Sequence, residues 1–140
     1  MRPTILPGMA HQLAPHLRPA TEAEIEAALR DVLLRGGFYP VKTDAAMINR
    51  GSRGRGSIRT GFPDLTVLHP LPGTTLCLAA LVETKTVTGK LRQSQIERHA
   101  ELRDLYGLQP LILRDPKEAV ALIREARRIA GLLKERSQIM

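Results

Sequence analysis

The alternation of helical and strand-like periods along this chain predicts an α/β fold: a mixed, mostly antiparallel central sheet flanked by helices, in the order αβββαβα. Three observations carry that reading. A helical apolar repeat opens the ordered part of the chain and is stopped by a glycine pair. Two apolar runs joined by a Pro-Leu-Pro-Gly-Thr turn then read as a hairpin. A second helix, a short apolar strand and a third helix complete the order.

Residues 1–20 hold four prolines (Pro3, Pro7, Pro15, Pro19) without a clear period and read as an N-terminal arm, leaving 21–135 as a single domain. Thr21-Glu22-Ala23-Glu24 has the form of a capping box. Ile25, Ala28, Leu29, Val32 and Leu33 recur at helical spacing until Gly36-Gly37. Residues 38–43 carry Pro40 and read as an edge strand. From Asp44 to Gly61 the chain holds four glycines and the arginines Arg50, Arg53, Arg55 and Arg59, the composition of a basic loop. Residues 64–69 and 76–86 are the hairpin strands. The nearly unbroken apolar run 76–82 reads as a strand buried on both faces, with Cys77 in the core. A helix follows over 92–106, closed by Gly107, then a strand over 110–114. Asp115-Pro116 opens a last helix through about Lys134.

The chain of 140 residues suits one compact domain with a real core. A net charge of +7 favours a polyanionic partner, nucleic acid foremost, although charge alone also serves solubility. Cys77 is the only cysteine, which rules out an internal disulfide and a thiolate zinc site. No apolar run has the length of a membrane span, and no secretory signal opens the chain. A cytoplasmic, intracellular protein is expected.

The chemistry concentrates at Gly61-Phe62-Pro63-Asp64-Leu65 and Glu83-Thr84-Lys85. Side chains alternate along a strand, so Glu83 and Lys85 share one face and Thr84 takes the other. The midpoint of positions 64 and 83 falls between Gly73 and Thr74, so a hairpin turning there sets Asp64 opposite Glu83. Two carboxylates with a backbone carbonyl and waters suit a hard divalent ion such as Mg²⁺. Such an ion neutralises charge on a phosphate, and a lysine ammonium beside it can position the attacking water or stabilise the pentavalent phosphorus. That is the equipment for cleaving a phosphodiester. Taken singly, a Glu-x-Lys pair is also a common surface feature, and an Asp after Pro is often a turn cap.

These residues resemble the PD-(D/E)XK nuclease superfamily, and more closely its small VRR-NUC domains of phage and bacterial proteins. The resemblance spans about Thr21 to Ile123. It rests on the Glu-Ala-Glu-Ile-Glu opening of the first helix, Gly-Phe-Pro-Asp-Leu at 61–65, Glu-Thr-Lys at 83–85, Thr-Gly-Lys-Leu at 88–91, Gln95 and the element order. It implies a restriction-endonuclease-like core and a Mg²⁺ or Mn²⁺ site formed by Asp64, Glu83 and the Thr84 backbone carbonyl. It further implies Lys85 as catalytic lysine, with contributions from Gln95 and from Glu22 or Glu26. At helical spacing both glutamates can face the sheet, and the choice stays open. Arg92 and Gln93 depart from the family's usual residues before the glutamine.

The implied activity is metal-dependent hydrolysis of DNA by an endonuclease, in a bacterial cell or encoded by a phage. Because the resemblance reaches junction-resolving enzymes, branched DNA is an expected substrate and a homodimer the expected assembly. Arg50, Arg53, Arg55, Arg59, Lys90 and Arg92 are the expected nucleic-acid contacts, since arginine forks match phosphates. With two tyrosines, two phenylalanines and no tryptophan, recognition is expected to rest on backbone and shape rather than base stacking. His69 and His99 read as structural. The competing readings are a non-catalytic nucleic-acid-binding module on a nuclease-like fold, and an assembly protein of a phage or mobile element.

Overall fold

The computed structural model describes residues 20–44 and 58–139. Apart from Ala20, the arm assigned to residues 1–20 lies outside the described residues, as do Arg50, Arg53 and Arg55. The order of elements is α1 (Glu22–Arg35), β1 (Tyr39–Lys42), β2 (Leu65–Pro70), β3 (Cys77–Thr84), α2 (Gln93–Tyr106), β4 (Leu111–Leu113) and, after a 3₁₀ turn at Pro116–Glu118, α3 (Ala119–Ile139). The protein is thus α/β, with a four-stranded sheet in the order β1-β2-β3-β4. The first two pairings are antiparallel and β3–β4 is parallel, which makes the sheet mixed and mostly antiparallel.

Local signals in the sequence account for the helix ends. The Thr21 hydroxyl accepts from the backbone N–H of Glu24 and donates to its carboxylate, satisfying a free donor of the first turn of α1. At the other end Gly37 adopts φ +96°, and the N–H of Phe38 reaches back to the carbonyl of Leu33, the paired-bond ending that a left-handed residue permits. Asp115 accepts from the N–H of Lys117, capping the 3₁₀ turn that leads into α3.

The core sits on one face of the sheet. Ile25, Leu29 and Leu33 of α1, spaced one turn apart, pack with Leu65 and Val67 of β2, Val82 of β3, Leu113 of β4 and Ala119, Ile123 and Ala126 of α3. Each large side chain buried there stabilises the fold by about 1.5–3 kcal/mol. Alternation along the strands then turns Asp64 and Glu83 to the opposite face, where α2 supplies the partners of Glu83. An ion pair from Glu26 to Lys42, at 2.9 Å, ties α1 to β1.

Several boundaries differ from the sequence expectation. Strand β1 is one residue shorter at each end, β2 begins after Asp64 and β3 ends at Thr84 rather than Thr86. β4 covers only Leu111–Leu113, and α3 runs past Lys134 to Ile139. The expectation of a doubly buried β3 fails at its start: Leu76 is 71% exposed, Cys77 is exposed, and full burial is confined to Val82–Thr84. The reason is topological. Strand β4 is short and pairs only with Val82–Thr84, so among the described residues the first half of β3 has β2 as its single strand neighbour. Among the described residues no helix is long and apolar enough to cross a membrane.

Candidate metal and catalytic centre

The hairpin register fixes the centre of the site. Leu65 pairs with Val82 and Pro70 with Cys77, so one step beyond the last pair Asp64 stands opposite Glu83. The Asp64 carboxylate accepts a hydrogen bond of 2.8 Å from the backbone N–H of Thr84, a charge-assisted bond that continues the strand pairing through a side chain. The segment carrying Asp64 is pinned from both sides. On the β1 side, Thr43 N–H donates to the Asp64 carbonyl at 2.8 Å and the Thr43 hydroxyl donates to the Pro63 carbonyl at 2.9 Å. On the α2 side, Arg98 Nε donates to the Thr60 carbonyl, and Arg98 and Arg59 both engage Glu101. Gly61 lies so close to α2 that a side chain there would collide with the backbone of Ser94.

Glu83 is fully buried and gripped through both carboxyl oxygens. Gln95 Nε2 donates to Oε1 at 2.9 Å, and His99 Nε2 lies 3.0 Å from Oε2. Gln95 is itself held, because its Oε1 accepts from the backbone N–H of Arg92 at the N-cap of α2. Burial pushes the Glu83 carboxyl up to about 9, helped by the charge of Asp64 and a hydrogen bond with it and opposed by Lys85. With no cation present, Glu83 therefore carries a proton at neutral pH. Burial also lowers His99 below the ordinary histidine value, with Lys85 and Arg103 acting in the same direction and Asp64 opposing, so its imidazole is neutral. When Glu83 is ionised, the ring proton belongs on Nε2, donating to the carboxylate.

Lys85 follows the end of β3, where its N–H still bonds to the carbonyl of Leu113. Its side chain is 5% exposed and its ammonium lies 3.9 Å from the carboxylate of Glu22. Of the two glutamates left open by the sequence, Glu22 is the one that meets Lys85, while Glu26 is engaged with Lys42. Thr84 turns to the core face, as alternation requires, and its buried hydroxyl has no hydrogen-bond partner among the described residues. A cavity of about 140 Å³ opens beside Asp64 and Gln95, walled by Phe62, Arg92 and Ser94. Lys90 and Arg92 are exposed near the start of α2, and Arg59 is also exposed but turned to Glu101.

Some site residues were not signalled by the sequence reading. His99, taken as structural, touches Glu83; the available signal was its position one turn after Gln95, on the same helix face. Arg114 braces the loop after Lys85 by donating to the carbonyls of Thr86 at 2.7 Å and Gly89 at 2.6 Å, a contact across the parallel pair that nothing local announces.

The donor set has the chemistry of a hard-cation site. Two carboxyls are held together out of water, and their mutual repulsion is relieved either by a proton or by a cation. Among the described residues no group of three or more His, Cys, Asp and Glu forms a side-chain metal cage, so a cation held here would complete its shell with backbone oxygen and water, as Mg²⁺ does. Compared with known proteins, the chain matches no protein-family model and no curated protein.

Proposed function

We propose that the protein is a Mg²⁺- or Mn²⁺-dependent nuclease that hydrolyses phosphodiester bonds of DNA. The observation that carries this reading is the pairing of Asp64 with a fully buried Glu83, beside a buried Lys85. Burying acidic groups side by side is costly unless they serve a charge that arrives later. Asp64 and Glu83, with the Thr84 carbonyl, would hold the cation. When bound, it supplies charge neutralisation on the phosphate and a more acidic water.

The protein's own groups do the rest. Gln95 keeps Glu83 in place, and Glu22 draws the Lys85 ammonium toward the site. Lys85 orients the incoming water and stabilises negative charge on the phosphate as the new P–O bond forms and the bridging P–O bond breaks. Lys90 and Arg92, exposed just before α2, together with a net charge of +7, suit a polyanionic backbone. Branched DNA, a homodimer and an intracellular bacterial or phage setting belong to the same reading, through the VRR-NUC resemblance.

The test is a cleavage assay on linear, flapped and four-way DNA with and without Mg²⁺ or Mn²⁺. Cleavage that needs the ion is expected, with at least about a hundredfold loss in Lys85→Ala while folding and DNA affinity hold. DNA binding without cleavage under any ion would replace the nuclease by a binding module. Undiminished cleavage by Lys85→Ala would remove that lysine from the chemistry.

A further inference from the structure

Glu83 is tethered at two points by one helix. Gln95 and His99 stand one turn apart on the buried face of α2, 2% and 6% exposed, and each takes a different oxygen of the same carboxyl group. A glutamate has a two-carbon stem and a broad terminal torsion, so a single hydrogen bond leaves its carboxylate plane free to turn. Two bonds from a rigid helix fix that plane and dictate which lone pairs remain for a ligand. The Gln95 tether is secured by the Arg92 backbone. The His99 tether is a ring of fixed shape, buried in the fold.

We propose that His99 is a positioning residue for the cation site: its Nε2–H holds Glu83 Oε2 so that the remaining lone pairs face the ion. This rests on the reading of Asp64 and Glu83 as the cation ligands. A buried aromatic ring that merely filled space would be replaceable by another ring. A hydrogen-bond donor would be replaceable by another donor. The two roles therefore rank substitutions in opposite orders. Glutamine places an amide N–H at about the reach of Nε2, methionine has the length of glutamine without a donor, and phenylalanine keeps the ring without a donor.

The experiment is a Mn²⁺ titration of the full chain, following the free-ion signal by electron paramagnetic resonance, with thermal denaturation to check the fold. Wild type is expected to bind the ion. His99→Met and His99→Phe are each expected to weaken binding about 10- to 100-fold, the loss typical for removing an outer partner of a metal ligand, and His99→Gln to restore most of it. Should one donor-free variant not fold, the other carries the comparison. Binding by His99→Met or His99→Phe equal to wild type overturns the inference. So does a His99→Gln protein as weak as His99→Met, or weaker than His99→Phe, since packing would then explain the site. A wild-type chain that binds no Mn²⁺ overturns the cation reading itself, and this inference with it.

Discussion

Glu83 is the residue at which fold stability and the proposed function pull in opposite directions. Its carboxyl titrates at 4.5 in an unconstrained chain and at about 9 in the folded protein, chiefly because it is buried. Below pH 4.5 both states hold the proton and the group costs the fold nothing. As pH rises from there toward 9, the unfolded chain ionises while the folded one does not, so stability is progressively lost. Glu83→Gln keeps one acceptor and one donor for Gln95 and His99 and removes the titration. The cation-free variant is expected to exceed wild type in stability by more than about 1 kcal/mol near pH 8, with the gap closing near pH 4. Denaturant melts at both pH values check this, and parallel curves would contradict it. The facing of Asp64 and Glu83 was legible in the sequence because a hairpin register follows from a midpoint. The choice between Glu22 and Glu26 was not: helical periodicity admits both, and only the position of Lys42 decides where Glu26 goes.

At the scale of elements, the site depends on how the loop before β2 seats against α2. Gly61 has φ +87°, and a Cβ there would lie 2.0 Å from the carbonyl oxygen of Ser94, so both conformation and space demand glycine. Gly61→Ala is expected to cost at least about 1–3 kcal/mol, the usual price of a strained backbone, and to weaken divalent-ion binding by shifting Asp64. A thermal melt with and without Mn²⁺ measures both effects; a variant as stable as wild type would show that the loop is not pressed against α2. Element order was legible because Thr21, Gly37, Gly107 and Asp115 punctuate the chain with local hydrogen-bonding chemistry. The exposure of Cys77 was not, since an apolar run reports hydrophobicity and not how far the neighbouring strand extends. Likewise the loop braces from Arg98 and Arg114 join residues distant in sequence, and only the folded arrangement reveals them.

For the whole molecule, the sheet separates two tasks. One face carries the apolar core between α1 and α3, and the other presents Asp64 and Glu83 to α2. That division leaves the acidic pair at the open end of the β2–β3 hairpin, and it places the cost of burying charge where the core is not disturbed. Overall charge was readable from composition, and the resemblance implied Gln95, whereas the contact of His99 with Glu83 was not legible, because α2 has a weakly patterned sequence whose buried positions mix the polar Gln95 and His99 with the apolar Leu102. The central claim is that Asp64 and Glu83 share one divalent ion. Crystals grown with Mn²⁺ and measured for anomalous scattering test it directly. The expected result is a peak within about 2–2.5 Å of a carboxylate oxygen of each residue. A protein with Mn²⁺ bound elsewhere, or none bound and the Asp64–Glu83 pair unchanged, would contradict it.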